Sequence, residues 1–599
     1  MARTNRNDQV DLVTMYLINN LLFSLVDEMS LAVVRTSFSS LARDAFDFQC
    51  AIFKANGDLI MEGEGTILHS LAYCYMIRRL REKYGDDIHP GDVFLNNDPY
   101  HDASHLPDIY MLEPVFLNGR LIAWACSGGH QADVGGRVAG SCACDSTEIY
   151  QEGLRIPLVK FYEKGTPNRS VVDMIKFNSR LPETIAGDLE SHHAACHTGK
   201  TRLLEMTQTY TWETLEMYID ELMNYSERRT REEIRKLPNG EYEFTDYLDD
   251  DGFEDKLVPI KLKILVEEET ITYDFTGTAP QIKGSMNDPI GTTRAMILIG
   301  LRCMIDSEIP RNSGVWRPVK MIIPEGSLLN PKLPGACGGR GATLSRIMDV
   351  LMGAEAQIVP DRMPACESGA DWLISMGTND REYGYTVLTE CLWGGWGGRP
   401  FADGVDFCTP IFLDGGNQVC ELNEKMYPFM YKRYSYVPDT EGAGKFRGSF
   451  AVQKEWEFLG EEGTLQMRTE RQRTQPWALN GGSPGAFSQT ILRRSNGEIY
   501  KMNKETVTIR KGDSVCVMTS GAGGWGNPLE RDPKLVLRDV RHGGVSLKRA
   551  QEVYGVVIEE ARFEVDQEAT KRIRKEREPQ DSSYFNKSKR QERLNKGSQ

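Results

Sequence analysis

From Val10 to Ser37 apolar residues recur at Leu12, Met15, Ile18, Leu22, Leu25, Val26 and Met29. That is the spacing of one helix face, and it predicts a long N-terminal amphipathic helix. After Asp47 the period shortens. Runs such as Val93-Phe94-Leu95, Ile109-Tyr110-Met111-Leu112 and Leu121-Ile122-Ala123-Trp124 alternate with Gly, Asn, Asp and Pro clusters, which predicts strands, with one helix over about Leu68 to Tyr84. A second helical tract is expected from about Thr201 to Leu237, closed by Pro238-Asn239-Gly240. Tyr242 to Phe275 reads as antiparallel strands around the turn Asp250-Asp251-Gly252, and helical spacing returns near Arg294 to Asp306 and Thr343 to Ala356. From Tyr383 to Pro528 the chain is Gly-rich and strand-like, as in a sandwich or barrel. The expected fold class is α+β and multidomain, with mixed or antiparallel sheets, helices and a Gly-rich β-domain in the C-terminal half. Its expected parts are an N-terminal α+β region (1–200), a helical and α+β middle region (201–380), the Gly-rich β-domain (381–560) and a charged tail (561–599).

Composition narrows the function classes. Acidic residues outnumber Lys plus Arg by 86 to 71, for a net charge of -15, which argues against broad phosphate-backbone binding. No uninterrupted apolar stretch approaches the roughly 18 residues of a membrane span, and no signal-type core follows Met1. Thirteen scattered cysteines suit reduced thiols in a cytoplasm. From Lys571 onward ten Lys or Arg face four acidic residues, which reads as a solvated or partner-contacting extension. A cytoplasmic enzyme or enzyme subunit remains.

Three nucleotide or redox motifs nearly appear. Ala194 to Thr201 ends like a phosphate loop but has Ala where the first Gly belongs, and it reads as a helix junction. Gly521 to Gly526 has dinucleotide spacing, but Asn527-Pro528 stands where a helix must open, so it reads as a turn. Cys142-Ala143-Cys144 has only one intervening residue and is not a thioredoxin-type pair. The chain shows no recognisable ATP or NAD site of its own.

The chemically dense stretch runs from Asn96 to Glu148. It holds two loops of His, Asp, Asn and Gly joined by a hairpin at Asn118-Gly119. His105 and Asp108 can converge if Pro107 bends the chain; His130, ending the returning strand, supplies an opposite ligand; Asp47, opening the strand Phe48 to Phe53, is the fourth. Two imidazoles and two carboxylates suit zinc, iron or manganese and leave room for water. The plainer alternative leaves His101 exposed, makes Asp98-Pro99 a turn opener and has Asp133 cap the turn Val134-Gly135-Gly136. His192, His193 and His197 form a competing cluster in a polar stretch that reads as surface or subunit contact.

These residues resemble the hydantoinase B/oxoprolinase family. The match includes His105-Leu106-Pro107-Asp108-Ile109, Gly129-His130-Gln131-Ala132-Asp133-Val134-Gly135-Gly136, Asp145 to Pro157, Asp274-Phe275-Thr276-Gly277-Thr278 and Pro324 to Pro331, and the Gly-rich end from Gly521 to Pro528 fits too. The resemblance implies metal ligands at Asp47, His105, Asp108 and His130, with Asp44 the substitute for Asp47. It also implies a partner, a hydantoinase A-type ATPase subunit that binds ATP and phosphorylates a small-molecule substrate, and hence a hetero-oligomer. One departure is visible: Glu367-Ser368-Gly369-Ala370-Asp371-Trp372 replaces the Thr-Met-Asn-Asn element usual in hydantoinase-like members, which bears on the substrate.

The expected activity is that of the hydrolytic subunit of an ATP-dependent cyclic amidase acting on a hydantoin, lactam or 5-oxoproline. One divalent transition metal would activate water, with Asp133 or Glu148 the proton-transfer candidates or partners holding His130. The alternatives are a subunit of an ATP-dependent ketone carboxylase and a scaffold subunit that only docks the ATPase. Neither nucleic acid nor membrane is an expected partner.

Overall fold

The computed structural model describes residues 10–577 apart from 371, 414, 416 and 417, so the charged end beyond 577 and Asp371 of the departing segment lie outside the described residues. The first helix, α1, runs Leu12–Thr36, with Asp11 as its N-cap accepting from the Thr14 N–H. It is followed by the short α2 (Ser40–Arg43) and by β1 (Phe48–Lys54), β2 (Leu59–Glu62), α3 (Ser70–Tyr84), β3 (Val93–Asn96), β4 (Asp108–Leu117), β5 (Arg120–His130), β6 (Val159–Glu163) and β7 (Thr166–Pro167). The seven strands form one sheet in the order β2-β1-β5-β4-β3-β6-β7.

Side chains alternate across this sheet, so each strand feeds two cores. Phe48, Cys50 and Ile52 of β1 pack with Ile18, Leu22 and Met29 of α1 and with Leu189 and Cys196 of a later helix. Ala51 and Phe53 face the other way, onto Tyr73, Met76, Ile77 and Leu80 of α3. By length and composition α1 could cross a membrane. Here its inner face is a core face, with Ile18, Leu22, Val26 and Met29 fully covered.

The second helical tract begins earlier than the periodicity suggests. After α4 (Arg169–Asn178), α5 spans Pro182–Thr209 and α6 spans Trp212–Arg235. Pro182 is the start signal, at the first helical position where its missing N–H costs nothing. The whole Ala194–Thr201 segment is thus inside α5. Its Gly199 lies where α5 crosses α1: an added Cβ would sit 2.5 Å from Met29 Sδ.

The middle layer is a four-stranded sheet, β11-β10-β9-β8, made of β8 (Gly240–Leu248), β9 (Val258–Glu267), β10 (Thr270–Asp274) and β11 (Val319–Ile322). It packs against α7 (Ile290–Met304) and α8 (Gly341–Ile358), with α8 buried along almost its whole length. The C-terminal half is a sandwich. One sheet orders Gly384–Leu392, Trp372–Asp380, Glu462–Met467 and Glu505–Arg510; the other orders Phe429–Val437, Ala451–Phe458, Ser514–Met518, Gln489–Arg493 and Ile499–Lys501. Ile374, Leu388, Leu465, Trp456 and Val517 fill the space between them. Gly521 to Gly526 is non-helical backbone pressed against other backbone: a Cβ on Gly523 would meet the Trp477 carbonyl at 2.0 Å. That close approach, rather than a phosphate, accounts for the glycines.

The start of the charged tail is packed. Helix Gln567–Glu576 buries Thr570, whose hydroxyl accepts from the Val557 N–H at 3.0 Å, and Arg574 donates to the carbonyls of Tyr554 and Arg531 at 3.0 and 2.7 Å.

Gly129 of β5 sits so close to β1 that an added Cβ would lie 2.4 Å from the Asp47 carbonyl oxygen and 2.6 Å from Phe48 Cβ. Gly129→Ala therefore forces β1 from β5 and is expected to cost about 1–3 kcal/mol, read as a lower urea midpoint at unchanged slope. An unchanged midpoint would show that the strands part freely. Because the phosphate-loop-like segment is continuous helix, the isolated chain is expected to bind ATP no more tightly than millimolar; micromolar binding by calorimetry would contradict this.

Candidate functional site

The ladder at one end of the N-terminal sheet assembles the expected residues. Asp108 opens β4 and stands opposite His130, the last residue of β5. On the other flank of β5 Gly129 pairs with Phe48, which carries Asp47 beside His130; the His130 N–H donates to the Asp47 carbonyl at 3.0 Å. The Asp108 N–H bonds back to the His105 carbonyl at 2.9 Å, closing a turn through Pro107 that brings His105 over its own i+3 carboxylate.

Three ligand-type atoms converge. His105 Nε2 and His130 Nδ1 each lie 2.9 Å from Asp108 Oδ1 and 3.0 Å from one another. Donor atoms bound to one ion at about 2.1 Å are separated by about 3.0–3.4 Å, so this triangle has the dimensions of a coordination face. His105 Nδ1 is 3.2 Å from the Gly338 carbonyl and donates to it, so that Nε2 is the ring nitrogen turned to the triangle. Asp108 Oδ2 is held by Arg340 at 2.6 Å. Buried beside them, His130 Nε2 and His69 Nε2 have no hydrogen-bond partner among the described residues.

Asp47 stands one step out. Its Oδ1 is 3.3 Å from Thr66 Oγ1 and 3.8 Å from His69 Nε2, while His69 Nδ1 and the Tyr110 hydroxyl are 2.6 Å apart. Cys142 completes the enclosure. It is 1% exposed, and its sulfur and one ring nitrogen each of His105 and His130 all lie within 4.8 Å of one another.

Electrostatics match this geometry. Burial opposes the charge on Asp108, but His105 and Arg340 outweigh it and hold the carboxyl well below its usual range. Burial also opposes ionisation of Asp47, and the neighbouring His69 and His130 rings outweigh it and lower its carboxyl. On His130 burial disfavours the proton, yet Asp108 and Cys142 raise its pKa to about 10. Burial would raise the Cys142 thiol, but His105 and His130 bring it to about 6. Two imidazoles, a carboxylate and a thiol make a donor set that fits a borderline divalent cation. Nearby, burial lifts Glu152 to about 8 although it accepts from the N–H groups of Cys337 and Gly338.

Asp133 and Glu148 are placed elsewhere. One Asp133 oxygen accepts from the Gly135 and Arg180 N–H groups; the other takes the Gly140 N–H and the Arg180 guanidinium at 3.0 Å. Asp133 therefore ties the turn after His130 to the segment before α5. Glu148 is exposed. Asp44 pairs with Arg43, and His101 with Asp98. The second histidine cluster does not converge. His192 is buried rather than on the surface, 2.8 Å from Ser127 Oγ, and burial pulls it to about 4; His193 stacks on Tyr162, and His197 is exposed.

Four residues of the site, His69, Cys142, Gly338 and Arg340, are missed by the sequence reading. His69 does carry a signal, being at the start of a predicted helix rather than on its apolar stripe. Cys142 enters the sequence reading only in Cys142-Ala143-Cys144, which is set aside as no thioredoxin-type pair. Nothing local ties residues 338–340 to a site 232 positions earlier.

Comparison with known proteins agrees with this geometry. The family model for hydantoinase B/oxoprolinase matches residues 11–528. A protein from Pseudomonas sp. (strain NS671), named as a subunit of a putative D-/L-hydantoinase, is 33% identical over 95% of this chain and 98% of its own. The crystal structure of an ATP-dependent caprolactamase from Pseudomonas jessenii superposes with a TM-score of 0.89 at 29% identity, covering 95% of this chain and 100% of the other. A nucleotide-free acetone carboxylase structure shares the fold, with a TM-score of 0.88 at 19% identity over 99% of this chain and 85% of the other. With its pattern matched from α1 to the Gly-rich end of the sandwich, the chain belongs to the hydantoinase B/oxoprolinase family.

Proposed function

We propose that this chain is the catalytic subunit of an ATP-dependent cyclic-amide hydrolase, acting at one divalent transition-metal ion on a substrate phosphorylated by a separate, hydantoinase A-type ATPase subunit in the cytoplasm. The observation that carries this reading is the convergence of His105 Nε2, His130 Nδ1 and Asp108 Oδ1 within 3.0 Å in a buried pocket. A relative named as one subunit of a hydantoinase supports a hetero-oligomer. Identity near 30% to that hydantoinase subunit and to a caprolactamase supports the amide branch.

An amide resists attack because its nitrogen donates into the carbonyl; phosphorylating the carbonyl oxygen ends that donation and creates a leaving group. The ion, when bound, supplies Lewis acidity that lowers the pKa of a coordinated water from about 15.7 towards about 7. The chain's own side chains do the rest. Asp47, His105, Asp108 and His130 would hold the ion, with Gly338 and Arg340 fixing the orientation of His105 and Asp108. His69, hydrogen-bonded to Tyr110 on one side and facing Asp47 with its free Nε2, is placed to carry a proton between the pocket and the Tyr110 hydroxyl.

His130→Ala is expected to lose stoichiometric metal and to lower product formation by more than the roughly 10–100-fold that an outer partner's loss costs. Substrate-dependent ATP hydrolysis by the partner should continue, uncoupled from product. Full metal content and turnover in this variant would place the site elsewhere. For the reaction itself, the complete complex should turn over ATP with hydantoins, lactams or 5-oxoproline and open the ring without bicarbonate. Strict bicarbonate dependence with a ketone would instead assign a carboxylase.

A further inference from the structure

Among the described residues, Cys142 neighbours both converging imidazoles, and the proposed reaction leaves its chemistry unused. We propose that Cys142 Sγ is a member of the ion's donor set beside His105, Asp108 and His130, so that this chain selects a thiophilic ion, zinc ahead of manganese or iron. The proposal rests on the metal-dependent reading and specifies which ion that site takes.

Placement comes first. The sulfur and the two imidazole nitrogens fit within 4.8 Å of one another in a site where Cys142 is 1% exposed. Around an ion with bonds of about 2.1 Å to nitrogen and about 2.3 Å to sulfur, neighbouring nitrogen and sulfur atoms are about 3.1–3.6 Å apart. The sulfur and the ring nitrogens, within 4.8 Å of one another, thus stand at most about 1–2 Å wider than bonded neighbours would, a difference that a change of side-chain torsion spans.

The backbone supports the same assignment. Gly140 and Ser141 both take left-handed conformations, at φ 77° and 59°, and the second of these is unusual for a residue with a Cβ. Ser141 is held there because its hydroxyl donates to the Gly135 carbonyl at 2.8 Å and accepts from the Val134 N–H at 3.1 Å. Gly140 is wedged against Ser375 Oγ and Thr389 Oγ1 of the sandwich, where a Cβ would lie 2.3 and 2.8 Å away. The effect of this double turn is to deliver the next side chain, Cys142, inward to His105 and His130.

The other thiols nearby are occupied differently. Cys144 accepts from Gln466 at 3.8 Å, and Cys337 donates to the Gly335 carbonyl at 3.9 Å. Among these three, only Cys142 faces both rings. A soft thiolate added to two imidazoles and carboxylate favours zinc or cobalt over ions that prefer all-oxygen surroundings.

The test uses the full chain, stripped by chelator and refilled with cobalt(II). A thiolate-to-cobalt charge-transfer band is expected in the near ultraviolet. In Cys142→Ser it should vanish while the visible ligand-field bands of an ion held by His105, Asp108 and His130 remain. The preference for zinc over manganese in competition should fall about tenfold or more in that variant. A parent that binds one cobalt with no charge-transfer band, or a variant with the band and preference unchanged, overturns the donor role and leaves the metal reading standing. A parent that binds no ion overturns both. If Cys142→Ser does not fold, the parent spectrum decides by itself.

Discussion

A carboxylate with 1% of its surface exposed stays ionised only where neighbouring groups repay its lost hydration, and at Asp108 that repayment comes from three separate parts of the chain. His105 arrives from the loop before β4, His130 from the end of β5, and Arg340 from the residue before α8. Removing one partner of such a group typically costs about 3–5 kcal/mol, because the charge left behind is buried and unanswered. The surrounding architecture obeys this need. The β4–β5 register places Asp108 opposite His130, and a slip of one residue would turn one of them to the other face of the sheet.

Helix α8 extends the same logic towards the sandwich. Six residues after Arg340, Arg346 is fully buried and bonded to Asp349 at 3.2 Å and Glu470 at 3.1 Å. Arg471 meets Asp349 at 2.6 Å and Asp246 of β8 at 3.1 Å, and Lys504 reaches Glu470 at 2.7 Å. Asp249, just past β8, accepts the N–H groups of Gln472, Arg473 and Thr474. The middle layer and the sandwich are thus joined by paired charges as much as by apolar packing. Such pairs fix one arrangement closely, since any other leaves ions buried alone.

Much of the fold was legible because its period is local. The stripe of α1, the alternation of β8 and β9 and the Gly-rich strands after Tyr383 each follow from spacing that a few residues reveal. The start of α5 was not, since its first turns are polar and the proline that begins it also reads as a turn residue. At the site, the four residue types in two loops pointed to Asp47, His105, Asp108 and His130. Asp133 misled because a buried aspartate beside a histidine motif serves equally well to cap a turn. Arg340 and Gly338 were beyond reach for a physical reason: their partners are chosen by how the middle layer docks on the sheet, and that docking leaves no trace in local periodicity.

That docking also sets an order of events during synthesis. Every proposed ligand lies within the first 142 residues, yet the groups that orient His105 and neutralise Asp108 follow 232 to 233 residues behind them. At roughly 5–20 residues per second a ribosome takes about 10–50 s to supply that interval. Throughout it Asp108 is without its arginine, and only the two imidazoles of the N-terminal sheet are at hand to answer its charge.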